Sequence, residues 1–372
     1  MFMDWKEELK YNIKDVEDLK KYISLTDTEE KKIGEIIENY PMSITRYYMS
    51  LINKDDPDDP IRKMCIPSYF EMDPEGSFDT SGEKQNTKEE GLQHKYPQTA
   101  LILSSNICAM YCRHCFRKRL VGLSDDETAK AFDKIFDYIL EHKEITNVLL
   151  SGGDPLLNNN RIIEYYLEKL TKVPHLKMIR FGTRVPVVFP CRIYGDEEFL
   201  AILKKYSAIK PIYFVTQFNH PNELTEEAQQ AVNSLINIGI VVSNQTVLLK
   251  GVNNKPEILS ALINKLNEFK IVPYYVFQCR PVKGVKGQFQ VPLLEGYEIV
   301  EKAKSMLNGH GKRFRYVLSH ETGKIEILGR LKDRDMIFKY HQAKNPADCG
   351  RIFVKTLEEK QCWLEKNTVS IV

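Results

Sequence analysis

The chain of 372 residues has no long hydrophobic run and almost no net charge. No stretch approaches the ~18 consecutive apolar residues of a membrane-spanning helix. The amino terminus, Met-Phe-Met-Asp-Trp-Lys-Glu-Glu, lacks the apolar region of a signal peptide. Lysine and arginine number 53, and aspartate and glutamate 51, so the formal charge of +2 gives no reason to invoke nucleic acid or an anionic membrane. We therefore expect a cytoplasmic protein with neither a nucleic-acid nor a membrane partner.

Cysteine is also scarce, and eight cysteines in a chain of this length do not form the disulfide framework of a secreted protein. Three of them are nevertheless crowded together, at Cys108, Cys112 and Cys115. They follow an apolar run at 99–103, which predicts a buried strand with the cysteines on the loop that leaves it. Such a loop can bring three thiolates to one iron–sulfur cube, and the absence of a fourth nearby cysteine would leave one iron open. We predict a 4Fe–4S cluster.

Two other interpretations of these cysteines are weaker. Most cysteines behave as small buried hydrophobic residues, but three within eight residues, beside the basic run Arg117-Lys118-Arg119, are unusual for that role. A zinc site needs a closing ligand, and His114 is poorly placed for it between two of the cysteines.

From residue 99 onward, short apolar runs alternate with helical patterns. The predicted strands lie at 100–103, 147–150, 178–182, 212–216, 241–249 and 274–279. The predicted helices lie at 128–143, 160–172, 198–206, 225–239 and 255–270. Alternation of continuous apolar strands with helices predicts an α/β fold with a parallel sheet. Six such units fall short of a closed TIM barrel, so we predict a partial (βα)6 TIM-type barrel with its active site at the carboxyl ends of the strands.

The sequence predicts three regions around this barrel. Residues 1–98 form a helical segment, in which Thr26 and Glu29 predict a capping box at the start of a helix. The segment includes a polar tract at 73–90 that predicts an extended surface arm or a crossover. The barrel occupies 99–310, and a C-terminal extension occupies 311–372.

The second predicted strand is followed by Ser151-Gly152-Gly153-Asp154. Two adjacent glycines let a backbone approach a ligand closely, although an ordinary tight turn is the alternative. With this turn and the run Cys108-Ala-Met-Tyr-Cys112-Arg-His-Cys115-Phe-Arg-Lys-Arg, the chain resembles the lysine 2,3-aminomutase family of radical S-adenosylmethionine (SAM) enzymes from residue 15 to about residue 329. The resemblance implies a radical SAM core in which the turn binds the amino group of the methionine part of SAM.

The resemblance also implies an activity and partners. The enzymes of this family are isomerases that use a 5′-deoxyadenosyl radical to move an amino group between C2 and C3 of an amino acid. The implied partners are a small amino-acid substrate, an electron donor such as flavodoxin or ferredoxin, and further copies of the chain in a homo-oligomer.

The family uses pyridoxal 5′-phosphate (PLP), and Lys324 aligns with the lysine that binds it. Residues 320–322, His-Glu-Thr, replace most of the family's glycine run before this lysine. Taken alone, Gly323 and Lys324 before an apolar run predict a hairpin turn with a solvated lysine.

Other positions of the implied PLP site are partly kept. Lys95 and Tyr96 match basic and tyrosine positions near the phosphate, while Thr99 stands where an arginine is usual. Tyr274 matches the tyrosine whose ring lies against the cofactor, with a core tyrosine as the alternative.

The resemblance assigns two substrate-binding arginines. Arg117 matches the arginine that pairs with the substrate's carboxylate, as a bidentate guanidinium fork allows. Arg280 stands where the lysine enzymes have the first of two aspartates for the side-chain ammonium, and the second position falls near Val317. A cation there would repel lysine and favour an anionic or neutral side chain.

Four polar residues at strand ends, namely Arg184, Asn219, His220 and Gln245, are either cofactor or substrate contacts or an internal network, and the sequence assigns them no roles. Two other functions also stay open: a PLP-independent radical SAM enzyme acting on an amino-acid-like substrate, and an iron–sulfur electron carrier or sensor. The turn at 151–156 argues against the carrier, because electron transfer needs no methionine-binding site.

Overall fold

A computed structural model describes residues 4–365 of the chain. The first part consists of short helices and a hairpin: α1 (Trp5–Leu9), α2 (Val16–Lys20), α3 (Asp27–Asn39), α4 (Arg46–Ser50), α5 (Pro60–Cys65), α6 (Glu83–Asn86), β1 (Thr87–Glu89) and β2 (Leu92–Tyr96). The predicted capping box is confirmed at α3, where the side chain of Thr26 accepts a hydrogen bond from the backbone N–H of Glu29 and the Glu29 carboxylate accepts one from that of Thr26. This exchange satisfies backbone donors that a helix start would otherwise leave unpaired.

The six predicted barrel strands are confirmed, and a seventh follows them in the described residues. The parallel strands are β3 (Thr99–Ser105), β4 (Asn147–Gly152), β5 (Met178–Gly182), β6 (Ile212–Thr216), β7 (Val241–Leu248), β8 (Val272–Gln278) and β9 (Arg315–His320). The helices among them are α7 (Phe132–Glu141), α8 (Asn160–Thr171), α9 (Val185–Val188), α10 (Cys191–Tyr194), α11 (Glu197–Ser207), α12 (Glu226–Asn237), α13 (Pro256–Glu268), α14 (Lys286–Phe289) and α15 (Leu293–Ser305).

The C-terminal region continues the same sheet. After β9 come the antiparallel strands β10 (Gly323–Lys332), β11 (Asp335–Ala343) and β12 (Ile352–Thr356). Short 3-10 turns lie at Tyr69–Met72, Pro155–Leu157, Pro221–Glu223, Gly311–Arg313 and Pro346–Asp348. Within residues 4–365 all three predicted regions thus share one sheet with strand order β1 to β12, open between its two ends.

Alternation along the parallel strands gives the sheet a packed outer face and a lined inner face. In β7, the residues Ser243, Gln245 and Val247 line an interior cavity, while the side chains between them are buried. Because successive side chains of a strand point to opposite faces, a regular strand such as β4 or β7 contributes alternate residues to the interior. The interior of the barrel is therefore a cavity lined by side chains and not a packed core.

The composition of the polar tract at 73–90 predicts a surface arm or a crossover, and the tract lies partly buried against the barrel. Ser81, Glu83 and Asn86 are buried, and Ser77 forms an isolated parallel bridge with Val282 beyond β8. The tract therefore passes over the interior of the barrel. Over residues 4–365, no helix is both long enough and apolar enough to cross a membrane.

Candidate active site

The inside of the barrel contains a cavity of about 750 Å³. All residues to which the sequence assigns a role line this cavity: Lys95, Tyr96, Cys108, Cys112, Cys115, Arg117, Ser151, Gly152, Gly153, Asp154, Tyr274, Arg280 and Lys324. The fold therefore brings together residues spread over more than half of the sequence. A cavity of this size lies in the range that binds small molecules and cofactors.

Cys108, Cys112 and Cys115 are free thiols on the loop that leaves β3. Burial, followed by the nearby Cys112, raises the pKa of Cys115 to about 11. Burial also raises the pKa of Cys108, and both other thiols raise it further, so the three lie close enough to repel one another as thiolates. A bound metal removes this penalty because its positive charge replaces the proton. The donor set therefore fits an iron–sulfur cluster.

The geometry does not favour a single metal ion. Among residues 4–365, no group of three His, Cys, Asp or Glu side chains could hold one ion. Cysteines of a four-iron cluster bind different irons and can lie further apart than the ligands of one zinc.

A buried charge triad holds the cysteine loop against the N-terminal helices. The Glu71 carboxylate accepts hydrogen bonds from Arg113 and from Lys118, each at 2.5 Å to Oε2. Burial alone would raise the pKa of Glu71, but the charges of Arg113 and Lys118 outweigh it and lower the pKa. Burial also lowers the pKa of Lys118 to about 8.

The glycine-rich turn after β4 is pressed against the start of the cysteine loop. Gly152 has φ +115°, and a Cβ there would lie 2.2 Å from the backbone oxygen of Ser105. At Gly153, a Cβ would lie 2.4 Å from the backbone oxygen of Ile107. No side chain fits at either position, so the two glycines are required for the close approach of these backbones.

Asp154 ties this turn to the end of β5. Its carboxylate accepts hydrogen bonds from the Thr183 hydroxyl at 2.7 Å and from the backbone N–H groups of Arg184 at 2.8 Å and Leu156 at 3.1 Å. Burial raises the pKa of Asp154, and these donors offset part of the rise. Because the carboxylate is engaged within the protein, its part in the site is to fix the turn.

Arg184 lies directly beside the cysteine loop. Its Nη1 donates to the Sγ of Cys112 at 2.6 Å, its Nη2 to Glu223 at 2.6 Å, and its Nε to the backbone oxygen of Gln217 at 3.0 Å. The guanidinium is thus held on three sides.

The other three unassigned polar residues divide between the cavity and the interior. Gln245 lines the cavity, whereas Asn219 is fully buried in a network with Glu223 and His114. His220 accepts a backbone hydrogen bond in the 3-10 turn that follows it, and burial lowers its pKa to about 4. The internal-network interpretation therefore describes Asn219 and His220. His114 also lines the cavity, and its Nδ1 is buried without a hydrogen-bond partner in the described chain.

Six cations line the cavity. Arg117 and Arg184 pair with Glu83 and Glu223, whereas the other four form no ion pair with a carboxylate of the described residues: Lys95, Arg180, Arg280 and Lys324. Arg280 donates to the Ser319 hydroxyl at 2.7 Å, but its Nη1 is buried with no partner in residues 4–365. The Nε of Arg180 is likewise buried with no hydrogen-bond partner in the described residues. Burial lowers the pKa of Lys95 to about 7 and that of Arg280 to about 10. Unpaired buried donors of this kind fit an anionic ligand, such as a phosphate or a carboxylate.

Lys324 lies on the cavity wall. It is the second residue of β10, in register with Ser319 of β9 and Gln342 of β11. Its Nζ lies 5.0 Å from the centre of the Tyr275 ring. Burial lowers its pKa to about 8, and two nearby arginines lower it further. Lys324 therefore faces the cavity, although it does begin the second strand of a hairpin, as the alternative interpretation predicts.

The aromatic positions are partly as expected. Tyr274 lines the cavity with 38% of its surface exposed, so it is not the core residue of the alternative interpretation. Its ring centre lies 4.0 Å from that of Tyr275. Burial raises the pKa of Tyr96, which keeps its hydroxyl protonated. Phe277 lines the cavity as well, and sequence reasoning missed it.

Arg180 is a second missed residue. Its Nη2 donates to the side-chain oxygen of Asn147 at 2.5 Å, and the amide of Asn147 donates to the hydroxyl of Thr99 at 3.1 Å. A guanidinium thus lies close to the position where Thr99 replaces the family's arginine. Because Arg180 interrupts an otherwise apolar strand, only its inward position in β5 could have drawn attention to it.

Glu83 is a third. Its carboxylate accepts hydrogen bonds from Nε of Arg117 at 3.0 Å and from Nη2 of Arg119 at 2.7 Å. The Nη1 of Arg117 also donates to the Ser151 hydroxyl at 3.2 Å. The predicted carboxylate-binding arginine is therefore fixed between the polar tract and the glycine-rich turn.

The chain is similar to one protein-family model and to several known enzymes. Residues 102–262 match the family model of the radical SAM superfamily. L-lysine 2,3-aminomutase of Clostridium subterminale is 41% identical over 310 residues, covering 82% of this chain and 73% of that protein. Glutamate 2,3-aminomutase of Clostridioides difficile is 39% identical over 311 residues, covering 82% and 72%. L-lysine 2,3-aminomutase of Methanococcus maripaludis is 36% identical and covers 99% and 91%.

An open barrel whose first parallel strand leads into three clustered cysteines, and whose second leads into a double-glycine turn, is the core of a radical SAM enzyme. The sequence identities to the aminomutases define the family within this superfamily. The chain belongs to the lysine 2,3-aminomutase family.

Proposed function

We propose that the protein is an isomerase that moves an amino group between C2 and C3 of an amino acid. One observation carries this proposal: the three cysteines and Lys324 line the same cavity. A radical generated at the cysteine loop and an aldehyde held by the lysine must act on one molecule, and a shared cavity of about 750 Å³ allows that. An electron carrier would have no use for Lys324 in this place.

The residues present fit the cofactors of the family. Cys108, Cys112 and Cys115 would hold three irons of the cluster, and the turn at 151–154 would hold the methionine part of SAM. Lys324 would hold PLP, with Tyr274 against its ring and Lys95 and Tyr96 near its phosphate. When bound, the cluster with SAM supplies a hydrogen-abstracting radical, and PLP supplies an aldehyde that carries the amino nitrogen.

The chain's own side chains bind, orient and exchange protons. Arg117 would bind the substrate's carboxylate through the part of its guanidinium that Glu83 and Ser151 leave free. Lys324, whose pKa burial lowers to about 8, is partly neutral near that pH. A neutral amine is the form that attacks a carbonyl and can later accept a proton.

The substrate is inferred to have an anionic or neutral side chain. The buried Nη1 of Arg280 has no partner in the described chain, and the nearby Glu83 forms its ion pairs with Arg117 and Arg119 instead, so the ammonium of lysine would meet repulsion. An anionic side chain would satisfy the free donor. The relative from Clostridioides difficile carries glutamate in its name, which fits this inference.

Three further expectations belong to the same proposal. An electron donor such as flavodoxin or ferredoxin would reduce the cluster, the protein would assemble as a homo-oligomer, and it would be cytoplasmic.

The test is a substrate screen with anaerobically reconstituted protein. It would be supplied with SAM, dithionite, PLP and each common amino acid, and 3-amino isomers would be sought by mass spectrometry. We expect an isomer from an acidic or neutral amino acid, and an Arg280→Asp variant should lose that substrate. Cleavage of SAM without an isomer of any amino acid would favour the PLP-independent radical SAM enzyme, and efficient conversion of lysine alone would contradict the role of Arg280.

A further inference from the structure

Glu83 lies at the centre of a group of arginines beside the cavity. Its side chain is 5% exposed, and each of its two oxygens accepts a hydrogen bond from a different arginine, Arg117 and Arg119. Among the described residues, no other carboxylate forms an ion pair with Arg117, whereas Arg119 has a second partner in Glu127 at 2.7 Å. In the described chain, Glu83 is therefore the carboxylate that balances the charge of Arg117.

The electrostatics keep this carboxylate ionised. Burial would raise the pKa of Glu83, but Arg117, Arg119 and Arg280 outweigh the burial and lower the pKa to about 2. A buried carboxylate is stable only when its partners compensate for the lost hydration. Glu83 and the arginines thus stabilise one another.

The segment that carries Glu83 is anchored on both sides of the cavity. Ser77 donates its backbone N–H to the oxygen of Pro281 at 3.0 Å, and Glu75 forms an ion pair with Lys286. On the other side, Lys95 of β2 donates to the backbone oxygen of Ser81 at 3.3 Å. The position of Glu83 is therefore set by the barrel and not by a free loop.

Glu83 determines which part of the Arg117 guanidinium faces a ligand. Nε is engaged by Glu83, and Nη1 donates to Ser151 at 3.2 Å and to the backbone oxygen of Gly152 at 3.4 Å. The Phe116 ring lies 4.5 Å from the guanidinium carbon. In the described chain no acceptor engages Nη2, so this nitrogen is left for an incoming carboxylate.

We propose that Glu83 is a positioning residue that holds the Arg117 guanidinium with its Nη2 toward the substrate's carboxylate, an inference that rests on the proposed function. Replacement by glutamine keeps the size of the side chain but leaves one acceptor oxygen for two arginines. The amide N–H₂ group would then face an arginine N–H group. Arg117 would lose its fixed orientation, and substrate binding would suffer more than the later steps.

The experiment compares three variants of the reconstituted holoenzyme. Glu83→Gln removes the charge, Glu83→Asp keeps the charge but shortens the reach to the two arginines, and Glu127→Gln is the matched control that touches only Arg119. The KM and kcat for the amino-acid substrate and the Kd for SAM would be measured for each, with thermal unfolding as a check on folding.

We expect Glu83→Gln to raise the KM for the amino acid by about tenfold or more, with a smaller effect on kcat and on SAM affinity. Glu83→Asp should raise the KM less, and Glu127→Gln should leave it within about twofold. If Glu83→Gln does not fold, the rise of KM in Glu83→Asp over Glu127→Gln decides the matter.

A KM equal to that of the wild type in the Glu83 variants, or an equal rise in Glu127→Gln, would overturn the inference. An equal loss of SAM affinity would also overturn it, because that points to general damage. Failure of the proposed function looks different, since the wild type itself would then convert no amino acid.

Discussion

Arg184 donates an N–H to the Sγ of Cys112 at 2.6 Å, while Glu223 and the backbone oxygen of Gln217 hold the rest of its guanidinium. The arginine that follows β5 is thus fixed against one of the three candidate cluster ligands. Hydrogen bonds to cysteine sulfurs are among the factors that set the reduction potential of an iron–sulfur cluster. A donor there stabilises the reduced, more negative form.

Replacing Arg184 by glutamine should therefore lower the midpoint potential of the cluster. The measurement is a redox titration followed by electron paramagnetic resonance, on samples with equal iron and sulfide content. Arg161→Gln, a change at an exposed position of α8, is the control and should leave the potential unaltered. An unchanged potential in Arg184→Gln with an intact cluster would contradict the account.

The cluster assignment predicts that Cys112→Ala cannot be fully loaded. With only Cys108 and Cys115 left, anaerobic reconstitution should give little bound iron and sulfide and no cleavage of SAM. Cys349→Ala, which removes an exposed cysteine, should behave as the wild type. Full iron content together with full cleavage in Cys112→Ala would show that the cluster lies elsewhere.

The sequence was sufficient to predict β3 to β8 and the cysteine loop, because continuous apolar runs and the Cys-x3-Cys-x2-Cys spacing are local signals. The place of Glu83 was not predictable. Its partners Arg117 and Arg119 lie 34 and 36 residues later, and the tract around it has no apolar periodicity. Its burial follows from ion pairs that exist only in the fold.

Contacts that exist only in the fold also explain why β9 and the surroundings of Lys324 were not predictable. Strand β9 pairs in parallel with β8, from which it is separated by α14 and α15, and its polar ends hide a short apolar centre at 316–318. By itself, the position of Lys324 after a glycine and before an apolar run is typical of a solvated turn residue. Its surroundings come instead from strands β5, β8 and β11, which sequence patterns do not connect to it.

The lowered pKa of Lys324 predicts a pH dependence. PLP fixed to the protein by borohydride should map to the peptide containing Lys324, and the amount bound in a fixed short time should rise as the pH increases through about 8. The sign follows because the ammonium cannot attack an aldehyde and the neutral amine can. An unperturbed lysine would require a pH near 10.

Lys332→Ala, which removes an exposed lysine of the same strand, is the control for PLP binding and should not alter it. Labelling that persists unchanged in Lys324→Ala would contradict the assignment of PLP to this lysine. Labelling that rises only near pH 10 would contradict its lowered pKa.

The buried triad predicts a large effect on stability. Glu71→Gln leaves the charges of Arg113 and Lys118 without a carboxylate, and breaking a buried ion pair in this way should lower the free energy of unfolding by about 3 kcal/mol. Urea denaturation of the cluster-free protein under anaerobic conditions measures it. The same substitution at Glu7, whose ion pair with Lys10 is exposed, should have no measurable effect. Equal stabilities of the two variants would show that the triad contributes little.

The central claim is that the cysteine loop and Lys324 serve one substrate in one cavity. The most direct measurement uses the identified amino-acid substrate deuterated at C3 and follows deuterium into 5′-deoxyadenosine by mass spectrometry. The account predicts deuterium transfer that requires added PLP and is lost in Lys324→Ala, although that variant keeps its cluster. Undiminished transfer without PLP and in Lys324→Ala would contradict the account.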